Sequence, residues 1–88
     1  MKFLIDKSFK RDFDKLKNIQ IKKKFLDILK TISKIDSIQD LQNIKKLEIG
    51  KNYYRLRIGD YRIGMIYKNS EIIFVRCLHR KEIYKYFP

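Results

Sequence analysis

The chain has 88 residues with 22 Lys and Arg against 10 Asp and Glu, a formal net charge of +12, and 44% of its residues are hydrophobic. So short a chain can fill one small core, so a single domain spanning residues 1–88 is expected, and its apolar content excludes a disordered tail. No stretch approaches the ~18 apolar residues that a bilayer span needs, the opening MKFLIDKSFK carries charges where a signal peptide needs an apolar run, and a lone cysteine excludes an internal disulfide, so the expected setting is a reducing cytoplasm.

KFLI (2–5) is a short apolar run ending at Asp6, long enough for a strand and too short for a helix. Ser8 is placed to cap a helix whose Phe9, Phe13 and Leu16 share one face. After Asn18 a stronger helical stripe follows, Ile21, Phe25, Ile28, Leu29, Ile32 and Ile35, with most lysines off it. Together these segments predict a helical hairpin with one apolar face. From Asp36 to Gly50 the periodicity weakens and the chain reads as a connection anchored by Ile38, Leu41, Ile44 and Leu47.

Beyond residue 50 the period becomes two. Strands are expected over 53–58, 61–67 and 71–78, joined by tight turns at Gly59-Asp60 and Asn69-Ser70. The last ten residues before Pro88 suit a short closing helix. Cys77 falls in an apolar run and reads as core filler. The expected fold is α+β: an N-terminal strand, a helical hairpin, then a three-stranded antiparallel meander completing one twisted sheet, with a short C-terminal helical tail.

Charge divides evenly, +6 in residues 1–50 and +6 in 51–88, yet five of the six arginines and all six tyrosines lie in the second part. Strand parity puts Tyr54, Leu56 and Ile58 on one face and Tyr53, Arg55 and Arg57 on the other. Pairing about Gly59-Asp60 sets Arg57 opposite Arg62, so three guanidiniums converge. Like charges facing each other are destabilising, which calls for an anion between them or full exposure to water. Gly64, on the same face, leaves space for a ligand to approach the sheet. If the tail is helical, Arg80 and Tyr84 share a stripe that could receive a phosphate and a base, or that simply covers the sheet edge. His79 is either a structural hydrogen-bonding group or a member of the site, and no Cys/His/Asp cluster has metal-ligand spacing.

The strings NYYRLRIGDYRIGMIY and IIFVRCLHRKEIYKYFP resemble the RelE/ParE superfamily of toxins from type II toxin–antitoxin systems, and most of all its short archaeal RelE-type members. The likeness rests on Tyr-basic-x-basic, Tyr61-Arg62, a β run, and His79-Arg80 followed by Tyr84, in that order. It implies a ribosome-dependent endoribonuclease that enters the A site and cuts mRNA without a metal or cofactor, the ribose 2′-hydroxyl attacking the adjacent phosphate. By that resemblance Arg55, Arg57, Arg62, Arg80, Tyr84 and His79 are the catalytic candidates, and Lys51, Tyr53, Lys81 and Tyr86 the RNA-binding ones. Arginines stand at 55 and 57 where studied RelE enzymes carry lysines, and arginine is a poor proton acceptor at neutral pH, which leaves His79 or Asp60 as substitutes. The partners implied are an acidic antitoxin, the ribosome and its A-site mRNA, with no membrane. A ParE-type gyrase inhibitor without ribonuclease activity, or an inactive homologue that only binds antitoxin, is the alternative.

Overall fold

A computed structural model describes all 88 residues. The elements are β1 (Lys2–Ile5), α1 (Lys7–Lys15), α2 (Ile19–Ile32), a 3-10 turn (Ile38–Asp40), β2 (Ile44–Lys46), β3 (Tyr53–Ile58), β4 (Tyr61–Lys68), β5 (Glu71–His79) and α3 (Ile83–Tyr86). The five strands form one sheet in the order β1-β5-β4-β3-β2. The meander β2 to β5 is antiparallel, and β1 closes the far side by pairing parallel to β5. No helix is long and apolar enough to cross a membrane.

The two long helices form by the expected pattern, with one change of cap. Asp6, not Ser8, is the N-cap of α1: its carboxylate accepts from the Ser8 amide at 3.1 Å and from the Ser8 hydroxyl. These bonds hold the Asp6 carboxyl below its usual range, the hydroxyl contributing most. The same hydroxyl shares its one hydrogen with the Val75 carbonyl, which ties the helix to the sheet. Asn18 caps α2 by accepting from the Ile21 amide. The helices lay Phe9, Ile21, Phe25 and Ile32 against the sheet, where the rings of Phe9, Phe25 and Phe74 pack tilted or edge-on with centroids 4.8–5.6 Å apart.

Tyr54, Leu56, Ile58, Ile63 and Met65 face the helices as strand parity requires. On β5 a bulge opposite Gly64 and Met65 adds Val75 to the ladder. Phe74 and Cys77 are three residues apart and would otherwise point to opposite faces. The extra residue lets both enter the same core. Burial, and then the nearby Asp12 carboxylate, push the Cys77 thiol up to about 12, which fits core filler.

Beyond Phe74 the edge of β5 has run past the end of β1, and α1 covers it. Asp12 accepts from Arg76 Nε at 2.7 Å, from Arg76 Nη2 at 3.2 Å and from the Cys77 amide at 3.0 Å. This paired carboxylate raises the Arg76 guanidinium above its ordinary value, chiefly through the hydrogen bonds. A backbone donor left unpaired where β1 ends thus finds an acceptor on α1.

Two departures from the sequence reading matter for function. The segment expected as a plain connection contains β2, which pairs Ile44 with Leu56, Lys45 with Arg55 and Lys46 with Tyr54. The tail is shorter than the helical run expected: His79 ends β5, Arg80 lies in a turn, and α3 spans Ile83–Tyr86. Ile83 and Phe87 fold back onto the sheet face away from the helices, where with Leu47 they make a second small core flanked by Tyr53, Val75 and Leu78.

Candidate active site

The sheet face away from α1 and α2 carries the basic site. Arg57 pairs directly with Arg62, and Arg55 with Gly64. The Arg62 guanidinium bends toward the hairpin turn, donating from Nη1 to the carbonyls of Gly59 at 2.9 Å and Tyr61 at 3.0 Å. The rest of its fork makes no hydrogen bond within the chain. Arg57 donates from Nη2 to Asn43 Oδ1 at 3.2 Å, and Asn43 adopts a left-handed φ of 63° that aims the chain into β2. Arg80 is set beside the turn by its amide, which donates to the Asp60 carbonyl at 2.7 Å, and its Nε lies 3.8 Å from the Asp60 carboxylate.

Electrostatics bind these residues into one cluster. The Arg62 guanidinium is held below its ordinary value first by burial, then by repulsion from Arg55, Arg57 and Arg80, with Tyr84 acting in the opposite direction. It stays cationic at neutral pH, because arginine begins from a value above about 12. Arg55 contributes a further strain: its Nε is buried and has no hydrogen-bond partner. Four guanidiniums with a single carboxylate in ion-pair contact form a site that an anion with several oxygens would relieve.

Gly64 does not leave the open space expected of it. A Cβ there would lie 2.6 Å from ring atoms of Phe87, so the missing side chain admits the tail and not a ligand. The tail is thereby pressed onto the sheet, and Tyr84 is brought to the arginines. Tyr86 goes elsewhere: its ring receives the Arg76 guanidinium at 5.6 Å. Tyr84 and Tyr86, both site candidates from the sequence, are thus separated by α3, on which residues two apart point nearly opposite ways.

The other candidates divide. His79 pairs with Tyr61, packs edge-on against its ring at 5.5 Å, and borders a cleft with Asp12, Lys15 and Leu16 on the helix side of the sheet. Its Nδ1 accepts from the Lys81 amide at 3.2 Å. The cluster thus excludes His79, whose bond fits the structural alternative. Tyr53 is half-buried, edge-on to Phe87 at 5.7 Å, and serves as a wall under the tail. Lys51 and Lys81 are exposed, the first before β3 and the second in the turn after Arg80. Asn43 and Lys45 were missed because β2 was missed; the sole signal is Ile44 between polar residues, too short to read as alternation.

The family model described as "ParE toxin of type II toxin-antitoxin system, parDE" matches residues 3–84. The chain belongs to the RelE/ParE toxin superfamily. This toxin is 44% identical to Toxin RelE3 of Methanocaldococcus jannaschii over an alignment of 91 residues that covers 100% of both chains. It superimposes on the toxin of a RelB-RelE antitoxin-toxin complex from Methanococcus jannaschii with a TM-score of 0.83 and 39% identity, over 97% of this chain and 99% of that one. A toxin from Helicobacter pylori shares the fold at a TM-score of 0.65 and 24% identity, over 94% of this chain and 98% of the other. The strand, helical hairpin and meander read from the sequence are thus those of a RelE-type toxin.

Proposed function

We propose that this toxin is a ribosome-dependent endoribonuclease that cuts mRNA in the A site. The observation carrying the reading is the convergence of Arg55, Arg57, Arg62 and Arg80 on one sheet face with Tyr84 in their field. In cleavage by the ribose 2′-oxygen, negative charge builds on the phosphate oxygens as the new P–O bond forms and the 5′-oxygen leaves. Fixed guanidiniums aimed at that position stabilise the transition state more than the ground state. Tyr84 offers its ring to an unstacked base, and the ribosome-held message supplies in-line geometry. The side chains present favour positioning and charge stabilisation over strong general-base chemistry: Asp60 is the carboxylate at the cluster, against Arg80.

The partners follow from the same charge. Ribosomal RNA rewards dispersed lysines with salt-dependent affinity. A RelB-type antitoxin, the partner seen with the Methanococcus jannaschii toxin, would offset the self-repulsion of a +12 chain. The 88 residues act as one toxin domain in the cytoplasm, where both partners are found.

The test is cleavage of mRNA on ribosomes with an occupied P site and an open A site, with naked mRNA and Arg80→Ala as controls. Cleavage confined to the ribosome and lost in the variant is the expected result. The match to the ParE family model supports a second reading, inhibition of DNA gyrase. A folded, growth-inhibiting protein that cuts no message but blocks gyrase supercoiling would establish it instead.

A further inference from the structure

A cleft of about 640 Å³ opens between the segment after β2 and the tail. Its size is that of a small-ligand site. Lys45, Glu48 and Ile49 border it from one side, Tyr84 and Phe87 from the other. Its floor is firm, since Phe87 and Leu47 belong to the second core.

Three features give the cleft a chemistry. Ile49 and Tyr84 are 68% and 60% exposed, large apolar surfaces left uncovered on opposite walls. Lys45 pairs with Arg55, so the cleft continues the cationic row of the arginine cluster, and Tyr84 belongs to both. Glu48 takes part in none of the three ion pairs, although Lys45 borders the same cleft and the chain has a net charge of +12. A flat ring between two apolar walls, a cation for an adjoining phosphate and a free carboxylate acceptor together describe a nucleotide.

We infer that this cleft receives the nucleobase next to the scissile phosphate and that Glu48 reads it; the inference rests on the ribonuclease reading above. Ile49 and Tyr84 hold the ring, Lys45 faces the neighbouring phosphate, and the Glu48 carboxylate accepts from an exocyclic amine. Cytosine presents such an amine at N4, adenine at N6 and guanine at N2. Uracil has none and turns carbonyl oxygens toward the carboxylate, so it ranks last.

The test compares wild type with Glu48→Gln on programmed ribosomes whose A-site codons differ by one base at a time. At one codon position wild type should cut an amine-bearing base about tenfold faster than uracil. Glu48→Gln should shrink that ratio below about threefold by raising the rate at uracil, since its amide can donate to a carbonyl. Wild-type cleavage with the same base ratio in the variant would overturn the inference while sparing the ribonuclease reading. A second measurement needs no cleavage: titration of the protein with 2′-deoxy dinucleotides of cytosine or uracil, followed by the backbone amide signals of Glu48 to Gly50. Larger shifts with the cytosine dinucleotide support the assignment, and equal or absent shifts overturn it even if message is cut.

Discussion

The two faces of the sheet are made from the same strands and obey different rules. On the helix side the core holds Phe9, Phe25, Ile63, Met65 and Phe74, and no polar or charged residue of the chain is buried. On the other side the same strands put Arg57 against Arg62 and leave Arg55 Nε buried without a partner. The first face is an arrangement that folding favours. The second accumulates repulsion and desolvation, costs that a fold tolerates where a ligand is to be bound. Alternation along a strand separates the two within one residue, so this small chain can carry an unfavourable cluster without placing it in its core.

That separation can be broken or sharpened by experiment. The largest effect expected is from Phe25→Ala, which empties the centre of the aromatic cluster and should cost about 4 kcal/mol, lowering the melting temperature by about 15 °C or more. Activity of the fraction still folded should be near normal; a specific loss of cleavage there would mean the faces are coupled. Arg62→Ala is the converse. It should slow ribosomal mRNA cleavage about 100-fold or more with the melting temperature held or slightly raised, because a repelled, partly desolvated cation is removed. A large fall in melting temperature would show the arginine face to be structural.

Gly64→Ala probes the seam between them. The new methyl meets the Phe87 ring, which Ile83 and Leu47 hold in place, so a cost of about 1–2 kcal/mol is expected, together with a roughly tenfold fall in cleavage as Tyr84 is displaced. Stability and activity should fall together here alone. The smallest effect concerns pH. Because the Asp6 carboxyl is held low by Ser8, its contribution is present above the unfolded value near ~4 and is lost as pH falls through the lower folded one. The melting-temperature gap between wild type and Asp6→Asn should accordingly be open at neutral pH and should close as the solution is acidified below the ordinary carboxylate range. A gap that persists in acid would show that the cap does not act through its charge.

The comparison also explains what was legible before the structure. Strands β3 and β4, their turn and the facing of Arg57 and Arg62 followed from alternation, because one side of each strand is buried and a slip of one residue would reverse it. The second helix after Asn18 followed from its apolar stripe, whereas the cap of the first fell on Asp6 and not on Ser8. What escaped depends on distant partners. β2 is three residues long and exists because β3 offers it an edge. The bulge at Val75 leaves no local mark, and the ring that fills the space at Gly64 comes from Phe87. His79 resembled a site residue by its neighbours in the chain, but its strand pairing with Tyr61 sends it to the other face.

The parallel pairing of β1 with β5 sets Lys2 beside Glu71 and Ile5 beside Phe74. Contacts so distant along the chain close a large loop before they return any free energy, and they slow folding relative to helix-rich chains of this size. A chain emerging from a ribosome therefore makes its helical hairpin early but cannot complete the sheet until β5 has emerged. Arg80 and Tyr84 lie later still, so the cationic cluster is assembled only after all five strands have been made.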